Sequence, residues 1–234
     1  MKKIISVIVL NLYLILFMSF FAESVQGKND IQNKPATEGL QATIFDIDIT
    51  PPVGYKMPYG VVVNTWDLGL RAKGIVLSGA EKPIVLVSLD WLGIANDCYD
   101  EFKRSLARAA GTTPERVAVH VIHQHDTPYP RDAVNDTFAL SVKQHLEVAV
   151  ASSFETLMPV THIGFGEAQV FEVASNRRIL GSDGKVKAMR WTACKDSALR
   201  AEPEGLIDPM LSAVSFWSGD KPIAVLNFYA THPQ

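Results

Sequence analysis

Cysteine is scarce: two residues, Cys98 and Cys194, in a chain of 234. That is too few for a disulfide framework, and their spacing excludes a Cys-x-x-Cys metal or redox motif. One bridge or two separate thiols both remain open. Charge of one sign is equally lacking. The 22 Lys and Arg nearly balance 25 Asp and Glu, for a formal net charge of −3, and no segment concentrates basic residues. Nucleic-acid binding therefore has no electrostatic footprint. There is no Gly-rich phosphate loop, no G-x-S-x-G elbow and no H-E-x-x-H helix, which removes the readiest phosphate-binding, serine-hydrolase and zincin readings. No internal repeat is present. With 47% hydrophobic and 20% charged residues, the composition excludes disorder and suits an ordinary globular chain.

Long apolar runs are missing too, except at the start. Lys2 and Lys3 precede an apolar or weakly polar run from Ile4 to Phe21, followed by Ala22-Glu23-Ser24. This is the pattern of a signal peptide, with cleavage expected after Ser24, although the run is nearly long enough for an uncleaved anchor. No cysteine stands there to carry a lipid. Export places the protein outside the cell or in the periplasm or cell envelope. Residues 25–40 are polar and aperiodic and read as a linker. Residues 41–234 read as the first part of one domain.

From Gln41 short apolar runs alternate with turn residues. "ATIFDIDIT" reads as a strand stopped by Pro51-Pro52, with Asp46 and Asp48 on its polar face. "LRAKGIVLSG" and "KPIVLVSLD" read as a hairpin pair. Residues 96–110 switch to helical spacing, with Asn96 or Asp97 as cap, Tyr99, Phe102, Leu106 and Ala109 or Ala110 on one face, and Gly111 as the stop. "RVAVHVI" is the next strand. Residues 136–157 form a second helix, with Phe138, Val142, Leu146, Ala149 and Leu157 inward and His145 beside that stripe. Later runs, "VTHIGFGEAQVFEV", "GKVKAMRWTA", "LSAVSFWSG" and "KPIAVLNFYA", return to strands, with turns at Asp183-Gly184 and Gly219-Asp220. The expected class is α/β (α+β), with mixed sheets and flanking helices. The chain stops directly after an apolar strand, so a domain truncated at its C-terminus is expected.

Three of the six histidines, His120, His123 and His125, fall in "VAVHVIHQHDTPYP" at the end of a strand-like run. If the strand persists through Gln124, His123 and His125 point to one side and His120 to the other. Two imidazoles on one side of a strand end suit a divalent metal, or one ligates while the other moves protons. Capping and surface histidines are common, so the pattern alone leaves the choice open. His232 ends another apolar run in "NFYATHP". In "SNRR", Arg177 and Arg178 could place one guanidinium in a polar cleft and the other in solvent, where the first could hold an anionic or developing negative oxygen. Asp90 closes "VLVSLD" and could orient a histidine. His162 and His145 read as structural or exposed.

Four stretches carry a family resemblance: "FDIDITPPVG"; "LGLRAKGIVLSG" with "IVLVSLDWLGI"; "VIHQHDTPYP"; and "DPMLSAVSFWSGDKPIAVLNFYATHP". In order and spacing, residues 42–234 resemble the N-terminal portion of the neutral/alkaline ceramidases, zinc amidases that split the N-acyl bond of ceramide. The resemblance implies that His123 and His232 ligate one Zn2+, that His125 is the nearby catalytic histidine, and that Arg177 helps hold the substrate carbonyl. It implies two further ligands, a glutamate and a tyrosine, beyond residue 234. The sequence departs from the family's T-H-T-H-S-G-P-G-G motif after its second histidine. Asp126-Thr127-Pro128-Tyr129-Pro130 stands there, giving a bulkier and stiffer rim than glycines.

The expected protein is thus an exported zinc amide hydrolase acting on ceramide or a related lipid or amide. Contact with a membrane surface is expected, and no protein partner. A fragment of this extent should be inactive alone. One alternative is a metallo-β-lactamase-like hydrolase, although Asp126 follows His125 directly and Pro128 stands where that pattern has its next histidine. Another is an exported, non-catalytic binding domain on the same fold.

Overall fold

The computed structural model describes residues 34–35, 39–62, 68–79, 81–132 and 135–232. The expected signal segment and most of the expected linker lie outside the described residues. The strands in the first half are β1 (Lys34–Pro35), β2 (Gln41–Asp48), β3 (Lys56–Met57), β4 (Gly60–Val61), β5 (Arg71–Ser78), β6 (Ile84–Leu89) and β7 (Val117–Val121). They continue with β8 (Met158–Pro159), β9 (His162–Gln169), β10 (Arg178–Leu180), β11 (Val186–Met189), β12 (Met210–Ser218) and β13 (Lys221–Tyr229). The helices are α1 (Asn96–Ala109), α2 (Thr137–Ser153) and the short α3 (Ser197–Ala201). The mixed α/β class expected from the sequence is the one observed. Among the described residues no helix is long and apolar enough to cross a membrane.

Alternation along the strands builds three layers. The larger sheet has the order β7-β6-β5-β2-β8. Ala72 and Val76 of β5, Val85, Val87 and Leu89 of β6, and Phe45 of β2 point to one side, where they meet Phe102 and Leu106 of α1 and Val142, Leu146 and Val150 of α2. Ala42, Ile75, Leu77 and Leu86 point to the other side and meet Val160, just before β9, and Ile163, Phe216 and Ile223 of the second sheet, whose order is β1-β9-β12-β13. Each fully buried leucine or valine contributes roughly 1.5–3 kcal/mol of transfer free energy, so the helix side carries most of the stability. Beyond the second sheet's reach the same face turns polar, with Arg71 paired to Asp46 at 2.8 Å. Gly74 lies opposite Phe45, and a Cβ there would sit within 2.6 Å of three atoms of its ring. The glycine is what lets the phenyl ring lie flat across β5.

The helix boundaries show how local rules were overruled. Neither Asn96 nor Asp97 caps α1; Ala95 occupies that position without a side-chain cap. Its backbone is tied down from outside the helix, Ala95 N donating to Pro130 O at 2.9 Å, so a capping side chain is not needed to fix the entry. Gly111 closes the helix with φ 64° as expected. In α2 the carboxylate of Asp136 accepts from Ala139 N at 3.0 Å, a regular N-cap. Val150 rather than Leu157 completes its buried face, because the helix ends at Ser153 and a 3₁₀ turn carries the chain onward.

Candidate metal centre

The first half of the site grows from the one parallel pair in the larger sheet. β6 and β7 run side by side, Leu89 opposite Val121, so both chains leave the sheet at the same end. The segments that follow are zipped together by backbone hydrogen bonds. Ile122 N donates to Leu89 O at 3.2 Å, His123 N to Trp91 O at 3.0 Å, and Leu92 N to Pro128 O at 3.1 Å. Beneath them Trp91 is fully buried and packs edge-on against Phe102 of α1 at 5.8 Å and obliquely against Phe138 of α2 at 6.3 Å. Thr127, also buried, donates to Gln124 O at 2.6 Å and rounds the loop. Tyr129 covers Gly93, where a Cβ would come within 2.9 Å of its ring. The bulkier rim expected from "DTPYP" is thus packed down onto the neighbouring segment.

The expected route to a histidine pair is corrected here. The strand ends at Val121 and does not persist through Gln124. His123 instead takes φ 63°, a left-handed conformation costing an L-residue about 1–2 kcal/mol. A backbone kink, not strand alternation, brings the rings together. His123 and His125 lie 5.1 Å apart, centroid to centroid, at 84°. The kink also aims His123 Nδ1 at Leu92 O, 2.7 Å away. A carbonyl only accepts, so Nδ1 carries the proton and Nε2 presents its lone pair, the arrangement found in metal-binding histidines.

The second half arrives from the other sheet. β13 ends at Tyr229, and shortly after it His232 reaches the pair, 4.8 Å from His123 and 4.9 Å from His125. The donor atoms of all three imidazoles lie within 4.8 Å of one another. Arg177, just before β10, donates through Nη2 to His232 Nδ1 at 2.9 Å. Its guanidinium also lies 5.5 Å from the Trp191 ring centroid. Arg177 is half-buried and Arg178 exposed. Partial desolvation, then the positive charge of Arg177 and the neighbouring imidazoles, push the His232 pKa below its ordinary value. The Arg177 hydrogen bond uses the lone pair of His232 Nδ1, so a metal ligated through that nitrogen would take the place of this contact.

Three imidazole donors suit a transition metal, zinc among them. Zn–N bonds of about 2.0–2.1 Å set tetrahedral ligand atoms roughly 3.4 Å apart. The observed spread is within side-chain adjustment of that figure, so the residues fit a single cation. The distances between the rings are similar and do not by themselves divide ligand from proton carrier.

The remaining histidines stay apart. His120 is exposed on β7 and His145 exposed on α2; His162 stacks on Trp217 at 5.6 Å and hydrogen-bonds Thr161. Asp90 does not orient a histidine: its carboxylate accepts from Arg71 N at 2.8 Å, and Leu92 O serves His123 instead. Cys98 is buried and Cys194 half-buried, both as free thiols. Three contributors had no sequence signal: the Leu92 carbonyl, Tyr59, which stacks on His125 at 5.4 Å, and Arg190. The last directs its guanidinium at the carbonyls of Asn176, Leu199, Glu202 and Pro203.

Layered sheets with helices on one side, and a histidine cluster where two sheets meet, define the class: a mixed α/β scaffold with a candidate metal centre. Solved ceramidase structures share this fold. A ceramidase complexed with C2 aligns at 17% identity with a TM-score of 0.52, over 83% of this chain and 31% of that one. The neutral ceramidase from Pseudomonas aeruginosa aligns at 18% identity with a TM-score of 0.53, over 84% of this chain and 32% of that one. The chain therefore spans about a third of the length of the ceramidases it matches. No family model matches it, and no curated protein sequence does.

Proposed function

We propose that this chain carries part of the active site of an exported, zinc-dependent amide hydrolase acting on an N-acyl lipid or related amide. The observation that supports this most directly is the convergence of His123, His125 and His232 within 4.8 Å, with Arg177 at 2.9 Å from His232. In this reading His123 and His232 hold the ion through neutral ring nitrogens, Leu92 O fixing the tautomer of the first. Zinc, when bound, polarises the scissile carbonyl and lowers the pKa of a coordinated water toward about 7. His125 moves a proton to or from the reacting atoms. Arg177, whose donors already lie beside the cluster, stabilises the negative oxygen that develops on the substrate. Likeness of fold to ceramidases favours a lipid amide and contact with a membrane surface. The basic and apolar N-terminal segment supports export.

Zinc titration by calorimetry tests the reading, on this chain and on a version extended to the length of the ceramidases. One ion per chain is expected, weakly held here and tighter in the longer form. His123→Ala and His232→Ala should each lower affinity at least tenfold. Two ions per chain would favour the metallo-β-lactamase-like alternative, and unchanged affinity in both variants would sink the zinc site.

A further inference from the structure

The three imidazoles are not held alike. His123 is fixed by its hydrogen bond to Leu92 O and His232 by that from Arg177. Among the described residues His125 is oriented by ring contacts: His123, His232 and Tyr59. Tyr59 stacks on it at 26° and 5.4 Å, yet remains 65% exposed. The ring is therefore not there to fill a core. It belongs to the turn of the β3–β4 hairpin, whose base is closed by Gly54 N to Val62 O at 2.8 Å and Val62 N to Tyr55 O at 3.1 Å. The hairpin is anchored at its start. Tyr55 OH donates to Asp136 Oδ2 at 2.8 Å, while Oδ1 of the same carboxylate caps α2. The Tyr55 ring packs on Phe138 of that helix at 4.9 Å. A rigid connection thus runs from the N-terminus of α2 through the hairpin to the face of His125.

We propose that Tyr59 is the positioning residue for His125. Its ring holds the imidazole in the orientation that presents one nitrogen to the cluster, a task the other two histidines assign to hydrogen bonds. Stacked aromatic pairs constrain ring orientation without a polar partner, so the phenol oxygen is dispensable and the ring is not. The role rests on the reading of His125 as proton carrier.

The test uses the chain with ¹⁵N-labelled histidine rings, compared by long-range ¹H–¹⁵N correlation at one pH, without metal or substrate. Tyr59→Ala should shift and broaden the His125 ring signals while leaving those of His145 and His162 in place. Tyr59→Phe should restore them, and Tyr55→Phe should produce the same change at smaller amplitude. Unmoved His125 signals in Tyr59→Ala overturn the proposal, whatever the reaction turns out to be. In the full-length enzyme Tyr59→Ala should lower kcat on the order of tenfold with KM within about threefold, and Tyr59→Phe should recover it. An unchanged kcat alongside shifted signals overturns the catalytic part. Absence of any amidase activity in the parent enzyme would count against the zinc hydrolase reading, not against the positioning contact.

Discussion

The two sides of the histidine cluster are built by different forces. His123 and His125 stand on a loop sewn to the ends of β6 and β7, over a floor of Trp91, Phe102 and Phe138 that belongs to the main core. His232 and Arg177 stand on the end of β13 and on an irregular segment held by polar contacts. The strands on that side leave large apolar groups uncovered, Val225 and Phe228 among them. Packing is cooperative and stiff, whereas hydrogen bonds to exposed carbonyls are individually weak. The first half is therefore preorganised by burial, and the second is held by a few replaceable contacts.

Truncating the core should break this contrast most visibly. Leu146 is fully buried between α2 and the larger sheet, so Leu146→Ala should cost about 2–5 kcal/mol. Phe228→Ala on the open side, at 57% exposure, should cost below about 1 kcal/mol. Urea unfolding of the two variants measures both, and equal losses would show that the halves are packed alike.

A smaller and more local effect is expected at Arg190. Its guanidinium gathers carbonyls from residues 176 and 199–203, and its backbone N–H donates to Arg177 O at 2.8 Å. Arg190→Ala should cost about 1–3 kcal/mol, felt as faster proteolysis and amide exchange across residues 171–206. Exchange in α1 and α2 should not change. Loss of protection spread evenly over the chain would erase the distinction.

The smallest effect is chemical. Burial pushes the Cys98 thiol up to about 11, with nearby Asp136 adding to the shift, whereas Cys194 is half-buried. At pH 8 a thiol reagent should label Cys194 readily and Cys98 only on unfolding. Since the folded value exceeds the ordinary one near 8.5, the Cys98 contribution to stability is complete below that pH and fades as pH rises toward 11. Comparable labelling rates at pH 8 would mean that the packed half opens as easily as the other.

Much of the scaffold was legible because its signals are local. Alternation announced β2, short apolar runs between turn residues announced β5, β6, β12 and β13, and period 3.6 announced α1 and α2 with the correct inner residues at Phe102, Leu106, Val142 and Leu146. The site's histidines and Arg177 were visible because each closes or follows an apolar run, and polar groups at strand ends face a cleft. The details that shape the site were not visible. Nothing near His123 in the sequence indicates a left-handed backbone, since that strain is supported by Trp91 and Leu92 from the segment after β6. Asp90 looked free to orient a histidine until β5 brought the Arg71 amide to it. Asn96 and Asp97 looked like caps until a backbone contact from Pro130 replaced that role.

By itself the sequence determined where the longer strands lie, which helical faces are buried and which side chains have the chemistry for a metal, because these follow from short-range patterning and side-chain type. Only the tertiary structure decided that His123, His125, His232 and Arg177 meet, and that Tyr59 lies against His125. Those juxtapositions depend on how two sheets and a hairpin are packed, through contacts whose partners lie tens of residues apart along the chain.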